Sequence, residues 1–163
     1  MVRASLNHVS VLARDLEASA EFYCDVLGLE RVPAPKFEVP VQWLQAESGQ
    51  IHLFERDMEP VPYYHFGVTV DDFEGVYQRA KSDGLFANWG ESSNASVYEL
   101  PDGGAQMYVN DPEGNLVEVD YPDFDAVDKS IVEEVVNRDD LIPQTGAAAN
   151  ATLNLSPVGR ENE

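Results

Sequence analysis

The sequence predicts an α+β fold built from two βαβββ modules, and three observations carry that reading. One short word occurs twice, 57 positions apart: His8-Val-Ser-Val-Leu-Ala-Arg-Asp15-Leu-Glu17 and His65-Phe-Gly-Val-Thr-Val-Asp-Asp72-Phe-Glu74. Each copy opens with a His on a run of alternating apolar residues, the period of a strand with one buried face. Each then passes through Asp-x-Glu into an amphipathic stretch that stops at Gly28 or Gly84, the pattern of a capped helix. Self-similarity at a fixed period marks two copies of one supersecondary unit, each presenting an imidazole from the start of its first strand.

The expected elements follow in order. A strand over 6–13 puts Val9, Val11 and Ala13 on one face and His8, Ser10 and Leu12 on the other. Asp15 caps a helix over 16–27 whose apolar stripe is Leu16, Ala20, Tyr23 and Leu27, and Gly28 ends it. Pro33, Pro35 and Pro40 punctuate a loop, after which 41–46 and 50–55 read as a hairpin turning near Ser48-Gly49. A Pro-containing connector over 56–62 leads into the second module. Its strand covers 63–70 and its helix 73–82, capped by Asp71 or Asp72. A strand over 85–89, a loop rich in Ser and Asn, and a short strand around Tyr98 come next. The final hairpin, 105–109 with 115–121, turns through Asn110-Asp111-Pro112-Glu113-Gly114. The modules therefore span 1–57 and 58–122. Residues 123–163 form an acidic extension: one helix over 125–137, from the spacing of Val127, Ile131, Val135 and Val136, then a disordered tail over about the last 20 residues.

Four strands per module would curve into a mixed sheet with the helix on its convex face and a cavity on the other. Every candidate for chemistry has the cavity parity. His8 lies opposite Val9 and Val11, His65 opposite Phe66 and Val68, Glu118 opposite Val117 and Val119, and His52 opposite Ile51 and Leu53. A buried carboxylate without a partner costs several kcal/mol, so these groups need partners or a cation. Two imidazoles and a carboxylate, with a third imidazole open, suit one first-row divalent ion: Mn, Fe, Co, Ni or Zn. A lone strand His is ordinarily a half-buried residue, but the matched repeat positions of His8 and His65 favour the ligand reading. Ser10, Trp43, Phe54, Tyr98 and Tyr108 are the candidate substrate contacts of this central cavity, with Tyr64 and Trp89 beside them. Ordinary packing competes for each of these aromatics.

Charge excludes several classes. Thirty Asp and Glu face ten Lys and Arg, a net charge of −20, so nucleic acid and anionic membranes are not partners. An acidic, Lys-poor chain fits a halophilic setting, where the Debye length falls to about 3 Å at 1 M salt and self-repulsion is relieved. No apolar run approaches the roughly 20 residues of a membrane span, and no signal-peptide pattern opens the chain; a cytoplasmic protein is expected. Cys24 stands alone, which excludes an intrachain disulfide, and its neighbours Tyr23 and Val26 read it as packing.

Four words together resemble the vicinal oxygen chelate superfamily of glyoxalase I, fosfomycin-resistance proteins, extradiol dioxygenases, methylmalonyl-CoA epimerase and bleomycin-resistance proteins. They are Leu6-Asn-His8-Val-Ser; Asp15-Leu-Glu-Ala-Ser with Phe22-Tyr23 and Val26-Leu27-Gly28-Leu29; His65-Phe-Gly-Val; and Asp111-Pro-Glu-Gly-Asn115-Leu-Val-Glu118. The resemblance covers about residues 5 to 121. It implies paired modules around a divalent ion, with His8, His65 and Glu118 at the usual ligand positions, and a homodimer. His52 falls where glyoxalases and epimerases carry a further ligand, usually Glu or Gln. Imidazole there is a departure, and ligation by three or four residues stays open.

The resemblance also implies the chemistry, bidentate chelation of a small-molecule substrate through neighbouring oxygens. A glyoxalase-like lyase or isomerase is the leading reading, with Glu118 as the base. A ring-cleaving dioxygenase would use His8, His65 and Glu118 as a 2-His-1-carboxylate triad on Fe(II). A non-catalytic resistance-type binder is the third reading, against which the intact ligand positions argue. From Ser82 to Asp128 there is no Lys or Arg. The cations weighed for the site are therefore Arg14, Arg31, Lys36, Arg56, Arg79 and Lys81, a supply that disfavours phosphonate and glutathione-conjugate substrates.

Overall fold

The structure, a computed structural model, describes residues 6–87 and 95–153. Alternating side chains in His8–Ala13 (β1) bury Val11 and Ala13 and leave His8 and Ser10 exposed, the parity read from the sequence. Asp15 then accepts the backbone N–H of Ala18 at 2.9 Å and starts a helix, Leu16–Asp25 (α1). Its buried face is Ser19, Ala20, Phe22 and Tyr23, with Leu16 and Leu27 of the expected stripe only half-buried. Three strands follow: Glu30–Val32 (β2), Val41–Gln45 (β3) and Gln50–Glu55 (β4). The three-residue β2 is the fourth strand that a βαβββ module requires, and it was too short for a period to locate it.

The second copy repeats the plan. His65–Thr69 (β5) leads into Phe73–Asp83 (α2), capped by Asp72, which accepts the Gly75 N–H at 2.9 Å. Gly84 ends α2 in the left-handed conformation at φ 68°, where a Cβ would be strained. Strands Val97–Glu99 (β6), Ala105–Asn110 (β7) and Leu116–Tyr121 (β8) complete the module. In the described part of the strand expected over 85–89, Phe86 bridges Val109, and 88–89, with Trp89, lie outside the described residues.

The chain divides into two units, 1–64 with 111–115, and 65–110 with 116–163. Each holds one open, mixed sheet of the same topology: β1-β4-β3-β2 in the first and β5-β8-β7-β6 in the second, which continues into a ninth strand. The first and last strands of each module pair in parallel and the rest antiparallel. In unit one, α1 lies against β3 and β4 over Leu44, Ile51 and Leu53; in unit two, α2 lies against β8.

The turn between β7 and β8 belongs to unit one. Asp111 accepts from the Tyr23 hydroxyl at 3.0 Å, from the Asn115 side chain at 2.8 Å and from the backbone N–H groups of Glu113 and Asn115. Asn115 also donates to the Leu12 carbonyl at 3.0 Å, and Arg14 pairs with Glu113 at 2.6 Å. The Asp111-Pro-Glu-Gly-Asn115 word is thus a structural clasp.

The helix expected over 125–137 does not form. A 3-10 turn at Phe124–Ala126 is closed by Lys129, which donates to the Phe124 carbonyl and sits over the Phe124 ring. Val127 and Val132 are buried as separate anchors, and Val135–Asn137 (β9) joins the edge of β6 in parallel. Two β-branched residues beside an open strand edge pair there, and that edge outweighs an approximate helical spacing. A short helix, Arg138–Leu141 (α3), and a 3-10 turn at Ala148–Asn150 follow. Leu153 donates its N–H to Asp102 at 2.8 Å, so the described part of the expected tail is tied down at that point.

Candidate functional site

Register places the two modules' functional groups in corresponding positions. In unit one, Ser10 lies opposite His52 and His52 opposite Trp43. In unit two, Gly67 lies opposite Glu118 and Glu118 opposite Tyr108. His52 is therefore the counterpart of Glu118, and Trp43 that of Tyr108. His8 and His65 each sit two residues before the strand position facing them.

Unit two gathers its polar groups on one face. Glu118 is 9% exposed and accepts the Tyr108 phenolic proton at 2.5 Å, and His65 Nε2 stands 3.4 Å from the same carboxylate oxygen. Burial, reinforced by the bond to Glu118, pushes the Tyr108 hydroxyl far above the ordinary phenol value, so it stays a neutral donor. Asp120 shares the face. Burial and the neighbouring Glu118 charge push its carboxyl up to about 8, opposed by a hydrogen bond from Gln106. Gly67 makes the room these carboxylates use: a Cβ there would stand 3.2 Å from Asp120 Oδ2 and 3.5 Å from Glu118 Oε1.

Unit one builds a stack instead. The His52 ring is flanked by His8, centroids 4.2 Å apart, and by Trp43 at 4.1 Å, with interplanar angles of 16° and 5°. A chain of amides assigns the His52 tautomer. Gln45 Nε2 donates to the carbonyls of Ala46 and Gly49, which can only accept. Gln45 Oε1 therefore faces Gln50 Nε2 at 2.9 Å, and Gln50 Oε1 faces His52 Nε2 at 2.8 Å. His52 accordingly carries its proton on Nε2 and keeps the Nδ1 lone pair, and burial with the nearby His8 lowers its pKa. His8 Nδ1 lies 2.5 Å from Asn7 Oδ1, so its lone pair is on Nε2. A ring held through one nitrogen by a neighbouring acceptor is the usual condition of a metal-binding imidazole.

Each face carries donors of a kind that a divalent ion takes. The donor set is right for a first-row metal, and the His8 tautomer leaves a lone pair. Within either unit, the described residues bring no three His, Cys, Asp or Glu side chains around one point: His8 and His52 stand in one unit, His65 and Glu118 in the other.

The candidate substrate contacts divide. Tyr108 bonds Glu118, and Trp43 covers His52 with its buried Nε1 lacking a hydrogen-bond partner among the described residues. Ser10 is exposed on the His8 face, and Phe54 meets Phe37 edge-on at 5.5 Å. Tyr98 is buried, with the Arg138 guanidinium 4.2 Å over its ring. Tyr64 is 80% exposed.

Arg138 corrects the inventory of cations. It follows β9, donates to Gln106 Oε1 at 2.9 Å, and so reaches the face that carries Glu118. Sequence reasoning overlooked it because it had ended a separate helix at Asn137, just before it. The one available signal was the Val135-Val136 pair before it.

Comparison with known proteins places these features. The profile of the Glyoxalase/Bleomycin resistance protein/Dioxygenase superfamily matches residues 5–119. An uncharacterised protein of Bacillus subtilis (strain 168), YwbC, is 25% identical over 124 residues, covering 69% of this chain and 94% of that protein. Among solved structures, the oxidase ChaP-H2 is 28% identical with a TM-score of 0.61, covering 74% of this chain and 94% of that one. Lactoylglutathione lyase from Agrobacterium tumefaciens is 23% identical with a TM-score of 0.53, covering 77% of this chain and 98% of that one, a likeness of fold.

Proposed function

Because the chain belongs to the Glyoxalase/Bleomycin resistance protein/Dioxygenase superfamily, we propose that it is a metal-dependent enzyme acting on a small oxygenated substrate by glyoxalase-like proton transfer, as a lyase or isomerase. The observation that carries this reading is the Tyr108–Glu118–His65 cluster, a carboxylate with a proton donor on one side and an imidazole on the other. His8, His65 and Glu118 would hold the ion, one of Mn, Fe, Co, Ni or Zn, with His52 Nδ1 as a fourth donor. The ion would supply Lewis acidity toward two neighbouring substrate oxygens.

The chain's own residues supply the rest. Glu118 takes the proton from the substrate carbon, and Tyr108 holds that carboxylate in place through its hydroxyl. Leu116, buried on the same face, helps exclude water. Trp43 Nε1 is a buried donor that a substrate oxygen would satisfy.

A second reading has its own support. ChaP-H2, 28% identical to this chain, is an oxidase. His8, His65 and Glu118 would then serve oxygen chemistry, with His52 a neighbouring acid or base. Metal analysis of the purified protein, followed by assays on methylglyoxal–thiol adducts and on catechols with oxygen uptake, separates the two. About one metal per chain with adduct turnover supports proton transfer; oxygen uptake with catechol and no adduct turnover overturns it.

The same proposal includes a homodimer in a salt-rich cytoplasm, from the superfamily's habits and the −20 charge. Light scattering should return about twice the 18.1 kDa chain mass, and the bare chain mass would overturn the dimer.

A further inference from the structure

The match to the superfamily profile ends at residue 119, and the chain beyond it is fastened along unit two at successive points. Phe124, Val127 and Val132 are buried; Asp128 donates its backbone N–H to Glu74 at 2.7 Å, and Glu133 donates its own to the Tyr77 hydroxyl at 3.0 Å. Glu134 takes a left-handed φ of 54°, costly for a residue with a Cβ, and the chain then enters β9 beside β6. Asn137 ends β9 and accepts the Asp139 N–H at 2.8 Å. Arg138 is therefore fixed by a strand on one side and a helix cap on the other. Its guanidinium lies 4.2 Å over the Tyr98 ring, and Nη2 donates to Gln106 Oε1 at 2.9 Å.

Gln106 is 4% exposed, and the two ends of its amide face different partners. Oε1 lies 3.0 Å from the Tyr108 hydroxyl and Nε2 lies 3.3 Å from Asp120 Oδ1. Tyr108 has one proton and two acceptors in reach, and the shorter contact, 2.5 Å, is to Glu118. Without Arg138 the amide would gain by turning over, because Nε2 could then donate to the Tyr108 oxygen. A guanidinium has five N–H donors and no acceptor, so the end of the amide that meets it must be the oxygen. One of the five N–H groups is enough for this. A bond from a charged donor is roughly twice as strong as a neutral one, so Arg138 decides the orientation. We propose that Arg138 is a positioning residue: it holds the Gln106 amide so that Asp120 has its own donor in Gln106 and Glu118 has its own in Tyr108. A turned amide would set its oxygen against Asp120, next to Glu118 on the same face. The proposal rests on the reading of Glu118 as the base, and adds that the segment after β8 keeps the base in order.

The test reads the amide directly, in full-length ¹³C,¹⁵N-labelled protein by NMR at one fixed pH. In the wild type the Gln106 side-chain NH₂ should give its strong cross-peaks to the Asp120 methylene; strong cross-peaks to the Tyr108 ring edge instead would overturn the proposal before any variant is made. Arg138→Met keeps the length and the apolar stem over Tyr98 but removes every donor, and should turn the cross-peaks to Tyr108. Arg138→Lys, again a donor without an acceptor, should restore the wild-type pattern. Cross-peaks unmoved in a folded Arg138→Met variant would overturn the proposal and leave Arg138 a brace for β9. Turnover of the methylglyoxal–thiol adduct should fall about fivefold in kcat in Arg138→Met, the worth of one hydrogen bond, with KM nearly unchanged. Turned cross-peaks with an unchanged kcat would also overturn it. A wild type that turns over no adduct fails the proton-transfer reading instead, and the cross-peaks then decide the role of Arg138 alone.

Discussion

His52 and Glu118 occupy the same register position in two modules of the same topology, yet their surroundings have diverged into different kinds of site. Opposite His52 stands an indole that stacks on its ring; opposite Glu118 stands a phenol that donates to its carboxylate. The first module accordingly forms a three-ring pile whose polar control comes from the edge, through Gln50 and Gln45. The second forms a hydrogen-bonded acid cluster in which Tyr108 and Gln106 partner the two carboxylates and Gly67 makes room. Each copy of the scaffold presents imidazole, but the buried carboxylates belong to the second, and so does the cation from the appended strand. A repeated backbone thus predicts where a functional group will stand, while the residue across the ladder decides what it can do.

That asymmetry can be broken most severely at its centre. Glu118→Gln keeps the shape and removes the base, and should lower turnover by about 10²–10⁴. His52→Gln, at the matched position, removes the fourth donor but keeps the base, and should cost less, about tenfold. Bound metal and kcat measured on both variants check this, and equal losses would make the two positions equivalent after all.

The clasp is the next largest effect. Asp111→Ala leaves Tyr23, Asn115 and two backbone N–H groups without their acceptor, and should destabilise the fold by about 2–3 kcal/mol, read by urea unfolding. Loss of less than about 0.5 kcal/mol would mean that water replaces the carboxylate at that turn.

Tyr108→Phe sharpens the contrast of indole with phenol. Losing the donor to Glu118 should reduce kcat by about tenfold, whereas Trp43→Phe, which retains an aromatic face against His52, should change it by about threefold or less. The smallest effect is global: melting temperature should rise by about 2–4 °C from 0.1 M to 2 M KCl, as screening relieves the −20 charge by roughly 1 kcal/mol. A flat or falling curve counts against the high-salt setting.

Much of the fold was legible because its signals are local. Asp15, Asp72 and Gly84 act within one helical turn of themselves, and the alternation around His8 and Glu118 needs only a neighbouring residue to assign a face. The spacing of Val127, Ile131 and Val135 misled because a helical period competes with any strand edge that the rest of the chain leaves open, and the edge of β6 is not visible from residues 125 to 137. Arg138 went unseen as a site residue for the same reason.

By itself the sequence determined two βαβββ copies, the parity that puts His8, His52, His65 and Glu118 on chemical faces, and a strongly acidic chain. Those properties follow from periodicity, capping and composition, which are written in neighbouring residues. The tertiary structure decided the rest: the His52 stack and its tautomer, the Tyr108–Glu118 bond, the clasp around Asp111, and the arrival of Arg138 on β9. Each of these joins residues far apart in the chain, and is set by which strand lies beside which.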